Sequence, residues 1–256
     1  MDGKVVIVTG ATSGIGEAAC YLLAGRGAKV IAAGRRADRG EAVIQRLRDA
    51  GGDGIFVQAD MASNDDIRHM VDTAVRTYGS LDGAFNNAGT GGAREQLHEY
   101  SDDNWNQVVA VNLTGIYRCM KYQIGAMLES GAKQPGGASI VNTASTLGHR
   151  ASHLSGAAYT ATKHGVIGLS RQAAIAYVRE GIRVNVVSPG ATDTELLAPL
   201  KAMGPDFVKQ VNETNPIGRM ATAEEVANAA LFLLSDAAAM ITGHALPVDG
   251  GLLAQL

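Results

Sequence analysis

Two cysteines in 256 residues are few. Cys20 and Cys119 stand far apart, each within a helical pattern, which excludes a disulfide framework and any zinc spacing. They are expected to be small buried side chains in a reducing cytoplasm. An excess of charge of one sign is also lacking: 22 Lys and Arg face 25 Asp and Glu, for a net charge of -3. There is no basic block, so binding to nucleic acid has no electrostatic footprint. No apolar run approaches the roughly 20 residues a bilayer requires. Met1-Asp2-Gly3-Lys4 leads into a strand pattern without a signal-peptide signature. The expectation is a soluble cytoplasmic protein. No internal repeat or low-complexity linker interrupts the chain, and no cluster of His, Cys and carboxylates has metal spacing, so no metal is expected.

What is present is a hydrophobic content of 46% over a length suited to one large α/β domain spanning residues 1–256. Val5 to Val8 is a β-branched run with little alternation, the pattern of a strand buried on both faces. Further strands are expected at Lys29 to Ala33, Ile55 to Gln58, Leu81 to Phe85, Ala138 to Asn142, Arg183 to Val187 and Ala245 to Val248. Between them lie helical patterns at about Glu17 to Gly25, Glu41 to Ala50, Asn64 to Tyr78, Asp102 to Leu128, Ser155 to Val178 and Ala223 to Leu234. Such alternation implies a doubly wound parallel sheet with helices on both faces. Residues 191–220 show no periodicity and hold Pro199, Gly204, Pro205, Pro216 and Gly218. A long irregular insert of this kind reads as a lid over a site, or else as a surface loop.

Between the first strand and first helix stands Thr9-Gly10-Ala11-Thr12-Ser13-Gly14-Ile15-Gly16. Glycines there permit a tight turn and close approach of a pyrophosphate to the helix N-terminus, which marks a dinucleotide site in this strand–turn–helix context. At the end of the second strand, where a carboxylate would bind the ribose hydroxyls of NAD, the chain offers Gly34-Arg35-Arg36. Adjacent guanidiniums suit a 2′-phosphate, so NADP(H) is favoured over NAD(H), unless the arginines are merely solvated. Asp38 comes too late to be a ribose ligand. Asp60, after the third strand, is placed to accept a hydrogen bond from the adenine amine.

Tyr159 and Lys163 are four apart in a helical pattern and share a face. A cation about 4 Å from a phenol, at an effective dielectric near 20, favours phenolate by on the order of 4 kcal/mol, roughly three pKa units. A tyrosine so tuned can serve as general acid or base near neutrality. Tyr and Lys at this spacing also occur on ordinary exposed helices.

The combination decides between these readings. Thr9 to Gly16, Asn86-Asn87-Ala88-Gly89, Val111-Asn112, Ser145 before Tyr159 and Lys163, Pro189-Gly190, and the ending Val248-Asp249-Gly250-Gly251 follow in order. The sequence thereby resembles the short-chain dehydrogenases/reductases over essentially its whole length. The resemblance implies a single Rossmann domain of seven parallel strands in the order 3-2-1-4-5-6-7. It also implies hydride transfer between nicotinamide and a ketone or secondary alcohol. It assigns a tetrad of Asn112, Ser145, Tyr159 and Lys163. Tyr159 would exchange the proton on the substrate oxygen, and Ser145 would steady its charge. Lys163 would lower the tyrosine pKa and bind the nicotinamide ribose. Asn112, through a local helix distortion, would hold a water linked to Lys163. Gly10, Thr12, Ser13, Gly14, Ile15 and Gly16 would contact the cofactor, as would Asp60-Met61 and Asn87-Ala88-Gly89. Pro189-Gly190 would pass beneath the nicotinamide, with Thr192 or Thr194 bonding its carboxamide or phosphate.

The interval from Ser145 to Tyr159 is one residue longer than the family spacing. The extra residue is assigned to the loop His149 to Gly156, which borders the substrate pocket. Ser139 and Ser152 are alternative serines, the first at a strand start and the second within that loop. His149 and His153 are candidates to touch substrate, whereas His164 is expected to pack at a neighbouring helix face. Trp105, Val108 and Val111 at helical spacing suit the core or a subunit interface. The family resemblance and the apolar tail Gly251 to Leu256 imply a homotetramer. Leu81 to Asn87 and Cys119 to Gln123 look most like enzymes of cyclic or small secondary alcohols and ketones. The alternatives are a 3-oxoacyl-carrier-protein reductase, which would need a basic face that Arg94, Arg150 and Lys201 supply only thinly, and a catalytically idle nucleotide-binding regulator, which would need neither Tyr159 nor Ser145.

Overall fold

The computed structural model describes residues 1–130 and 137–255; Leu256, the end of the apolar tail, lies outside them. Seven strands form one parallel sheet: β1 Val5–Thr9, β2 Lys29–Gly34, β3 Asp53–Gln58, β4 Gly83–Asn86, β5 Ala138–Thr143, β6 Ile182–Pro189 and β7 Ala245–Val248. Their order is β3-β2-β1-β4-β5-β6-β7, as expected from the resemblance. The chain reverses its winding between β1 and β4. There the carboxyl ends of neighbouring strands diverge and leave a crevice.

The β-branched residues of β1 explain its central place. All five of its residues are buried, and alternate side chains enter two different cores. Val5 and Ile7 pack with Ile67 and Met70 of α3 (Asn64–Tyr78), Ile116 and Met127 of α5 (Gly115–Glu129), and Val166 of α6 (Ala157–Tyr177). Val6 and Val8 pack with Ala18 and Leu23 of α1 (Gly14–Ala24), Val43 and Leu47 of α2 (Ala37–Asp49), and Val226 and Leu233 of α9 (Ala223–Leu234). Each buried valine or isoleucine contributes about 1.5–3 kcal/mol relative to exposure, so polar substitution in β1 would remove support from both layers.

Two expectations need correction. The helical stretch from Asp102 is not one regular helix. It comprises α4 (Asp102–Val109), a π-helical segment Ala110–Thr114, and α5. A π segment shifts hydrogen bonding without breaking the helix, so side-chain periodicity does not disclose it. Residues 191–220 are not structureless either. They include α7 (Ala198–Lys201) and α8 (Pro205–Thr214), the latter with Pro at its start, where its missing N–H is harmless. The two ends of this segment are joined: Thr192 bridges Ala221, and Asp193 N–H donates to the Ala221 carbonyl at 2.9 Å. Smaller shifts occur at helix starts. α2 begins at Ala37, not Glu41, which brings Arg39 into its first turn. Among the described residues, no helix is long and apolar enough to cross a membrane.

Candidate active site

The crevice is lined first by the turn after β1. Gly10 has φ +66°, and a Cβ there would meet Ala88 Cα at 2.9 Å. At Gly16 a Cβ would run into the Gly10 carbonyl and the Asn87 amide. Bare backbone at these positions lets the turn nest against the segment after β4. Thr9 fastens the two: its hydroxyl accepts from the backbone N–H of Asn87 at 3.0 Å and of Ala88 at 3.1 Å. Asn87 Nδ2 donates to the Thr9 carbonyl at 3.3 Å. α1 then opens at Gly14, and its first amides face the crevice end with the positive end of the helix dipole. Ile15 packs on the core beneath.

The arginines after β2 do not act as a pair. Arg36 reaches back to the turn, donating from Nη2 to Thr12 Oγ1 at 2.9 Å and Ser13 Oγ at 2.8 Å, and from Nε to Thr12 Oγ1 at 3.1 Å. Its Nη1 donates to Glu195 Oε2 at 2.8 Å. Arg39 pairs with the other oxygen of Glu195. These arginines hold the Glu195 carboxyl down to about 2, with the Ser13 hydroxyl helping. Arg35 is exposed, and only its carbonyl is engaged, by Gln58 Nε2 at 3.0 Å. Asp38 is exposed at the start of α2. Asp60 turns one carboxylate oxygen to the Ala62 N–H at 2.9 Å. The Met61 side chain is buried and lies 3.7 Å from Cys119 Sγ, so Met61 can meet a nucleotide only through its main chain.

Ser145 lies two residues past β5 and caps a short 3₁₀ turn, accepting the Leu147 N–H at 3.2 Å. Ser139 instead donates to the Leu233 carbonyl at 3.0 Å beneath α9, and Ser152 accepts from Leu154 N–H within its loop. Tyr159 stands in the first turn of α6, and Lys163 Nζ lies 5.4 Å from its ring centre. The ammonium is almost wholly buried and donates to the Thr143 carbonyl at 2.7 Å. Burial pushes Lys163 down to about 8. For Tyr159 the expected lowering is overturned. Burial raises its phenol above the ordinary value, and the neighbouring Ser145 hydroxyl only partly offsets this. Desolvation disfavours the phenolate, and the Lys163 ammonium is spent on the Thr143 carbonyl.

Asn112, in the π segment, is fully buried. Its Oδ1 accepts from Thr90 N–H at 2.9 Å and its Nδ2 donates to the Thr90 carbonyl at 2.8 Å. It thereby clamps the strand extension that carries Gly89. A Cβ on Gly89 would stand 3.4 Å from Asn112 Oδ1 and 3.8 Å from Lys163 Nζ, which shows how closely these three residues converge. The floor is set by Gly190: its N–H donates to the Val248 carbonyl at 3.0 Å, and a Cβ there would meet Asp249 Cα at 3.0 Å. Pro189 ends β6 beside it. Thr192 Oγ1 donates to the Gly190 carbonyl at 3.1 Å. Thr194 closes on the first turn, since a Cβ at Gly14 would meet its methyl at 3.0 Å.

His149 shares a hydrogen bond of 2.9 Å with Ser188 of β6, and burial pushes its imidazole pKa down. His153 and His164 are exposed. His164 is therefore not packed as expected, because its ring folds back on the Thr160 carbonyl at 2.9 Å. Trp105 is partly exposed, Val108 is buried, and Val111 packs on the core edge. Cys20 and Cys119 are both buried.

Residues that sequence reasoning did not single out are Arg39 and Glu195, and a buried polar network behind the site. In that network Asn86 exchanges hydrogen bonds with Gln123 at 2.9 and 2.8 Å and donates to Asn142 Oδ1 at 2.9 Å; Asn142 donates to Ser170 Oγ at 2.9 Å. Buried asparagines at the carboxyl ends of β4 and β5 were the available signal.

Comparison with known proteins agrees with this arrangement. A family model of short-chain dehydrogenase type, described as enoyl-(acyl carrier protein) reductase, matches residues 10–253. The 2,5-dichloro-2,5-cyclohexadiene-1,4-diol dehydrogenase of Sphingobium indicum is 42% identical, over 99% of this chain and 98% of its own. The cis-4-hydroxycyclohexanecarboxylate dehydrogenase of Sinomonas cyclohexanicum is 41% identical, over 97% and 96%. A variant actinorhodin polyketide ketoreductase solved with NADPH superposes with a TM-score of 0.90 at 34% identity, covering 97% of each chain.

Proposed function

The chain belongs to the short-chain dehydrogenase/reductase family, and from that premise we propose how its residues interconvert a secondary alcohol and a ketone. Its relatives are dehydrogenases and a ketoreductase, the last solved with NADPH. The observation that carries the residue assignment is the convergence of Ser145, Tyr159 and Lys163 at the carboxyl end of β5, beside Gly89 and the glycine turn.

The residues present fit a dinucleotide. Gly10 and Gly16 leave a cradle that a Cβ would fill, and Arg36 offers a guanidinium beside Thr12 and Ser13. When bound, the nicotinamide supplies or takes up the hydride. Tyr159 holds the proton that passes to or from the substrate oxygen. Its raised pKa keeps it protonated at neutral pH, ready to donate in the reductive direction. Ser145 donates a hydrogen bond to the same oxygen as its charge grows. Lys163, once its ammonium turns from Thr143 toward ribose hydroxyls, binds the sugar and favours the phenolate during oxidation. Asn112 spends its side chain on Thr90, so a relay water would be held by the main chain of the π segment.

NADP(H) is the preferred cofactor, with Arg36 as the principal 2′-phosphate ligand and Arg35 at the rim. Asp60 and the Met61 main chain take the adenine; Asn87, Ala88 and Gly89 flank the ribose. Thr192 and Thr194 bond the carboxamide and phosphate. The segment 191–220 closes over the substrate. A cyclic secondary alcohol or ketone is the substrate class, in line with the ring compounds named for the Sphingobium and Sinomonas relatives. Exposed Tyr117, Ile175 and Phe232 on α5, α6 and α9 suit the faces of a homotetramer. The protein works in the cytoplasm as a single Rossmann domain.

Tyr159→Phe tests the proton role. Ketone reduction should fall by about 10²–10⁴-fold, the usual contribution of a positioned acid–base group, while NADPH binding measured by fluorescence stays within about twofold. Full activity in that variant would reject the mechanism.

A further inference from the structure

The donors gathered around Arg36 already hold an anion, and that anion belongs to the protein. Glu195 lies 159 positions after Arg36 in the chain, in the 3₁₀ turn Glu195–Leu197 that follows Thr194. One of its oxygens takes Arg36 Nη1 at 2.8 Å and the other takes Arg39. The same Arg36 holds Thr12 and Ser13 of the nucleotide turn through its other nitrogens. Thus a carboxylate carried by the lid spans the crevice and binds two guanidiniums at its opposite wall.

A carboxylate and a phosphate ester compete for such a fork because both offer paired oxygens in one plane. Neither arginine has another carboxylate within ion-pair distance among the described residues. Lys201, a cation of the same segment as Glu195, is committed to Asp193 at 2.7 Å. Of the guanidiniums at this wall, Glu195 thus occupies those of Arg36 and Arg39, while Arg35 stays exposed at the rim.

We propose that Glu195 is a cofactor-specificity residue, an internal carboxylate that competes with the 2′-phosphate of NADP(H) for Arg36 and Arg39. This rests on the reading of Arg36 as the 2′-phosphate ligand. A nucleotide with the phosphate must displace Glu195, and the displacement loosens the lid from the wall. A nucleotide without it leaves the ion pairs intact. Discrimination between the two cofactors is thus weaker than the arginines alone would give, and the side chain that limits it sits on the lid.

The test is calorimetric titration with adenosine 2′,5′-bisphosphate and with 5′-AMP, in low salt, on the wild type, Glu195→Gln and Arg36→Ala. Glu195 is about half exposed, so its neutralisation leaves the core untouched; circular dichroism checks this. Glu195→Gln should tighten the bisphosphate about fivefold or more, roughly 1 kcal/mol, and leave 5′-AMP within about twofold. An unchanged ratio between the two ligands, or equal tightening of both, overturns the proposal. Arg36→Ala separates the two layers of the argument. If it fails to weaken the bisphosphate relative to 5′-AMP, the cofactor reading itself falls. If it weakens the bisphosphate while Glu195→Gln changes nothing, only the competition falls.

Discussion

Replacing Lys163 by methionine should make the folded protein more stable at neutral pH and remove a pH dependence. The ammonium is 4% exposed and has no carboxylate partner among the described residues. Burial lowers its pKa from 10.5 to about 8, equivalent to about 3 kcal/mol of unfavourable charge burial. Because the folded pKa is the lower one, that cost is present at pH 7 and is relieved as pH rises from about 8 toward 10.5. In that window the lysine binds more protons in the unfolded chain than in the folded one, so its contribution to stability climbs with pH; the buried thiols of Cys20 and Cys119 work the other way, equally in both proteins. Carried from pH 7 to about pH 9.5, the linkage relation gives a gain of about 2 kcal/mol. Higher pH is avoided because Tyr159, with its raised pKa, works the other way above about pH 10. At pH 7 the variant forgoes the charge cost but strips the Thr143 carbonyl of its donor, a loss of about 1 kcal/mol. The net gain is about 2 kcal/mol, or roughly 4–8 °C in Tm for a domain of this size. Urea unfolding of the apoprotein at one fixed concentration, from pH 7 to about pH 9.5, should show the variant's advantage shrinking to near zero or reversing. Parallel curves for the two proteins would refute the reasoning, because they would mean that the amine is not desolvated in the fold.

Two further substitutions probe the scaffold. Asn112→Ala leaves the Thr90 N–H and carbonyl unpaired beside the tetrad and should destabilise the protein by about 2–4 kcal/mol in urea melts, with a rise in KM for cofactor; an unchanged Cm would show that water replaces the amide at no cost. Gly16→Ala drives a methyl into the Gly10 carbonyl and should abolish nucleotide binding in a fluorescence titration, even where circular dichroism shows a folded protein; retained binding would mean that the turn can open.

The parallel sheet was legible because β1 and β2 are largely apolar runs, and because β1, β2 and β6 each end at glycine or proline with a recognisable turn. The grouping of Ser145, Tyr159 and Lys163 was legible for the same reason: they sit within one strand–helix unit, at local spacing. What escaped was either non-local or invisible to periodicity. The Glu195 contacts join the segment 191–220 to the start of α2 across most of the chain. The distortion at Asn112 was expected from the family resemblance, not from the apolar pattern, which runs on through the π segment. α8 was hidden by the Gly204-Pro205 and Pro216 punctuation that also delimits it. The tyrosine pKa was misjudged because a pairwise Coulomb estimate contains no desolvation, and burial was the larger effect.

The contact between Gly190 and Asp249 has a consequence for biosynthesis. Thr9 and Gly10 are synthesised early, yet the backbone that supports Pro189-Gly190 from below arrives only with β7, after the other six strands. A nascent chain can thus pair β1 with β2 and β4 long before the crevice has its floor.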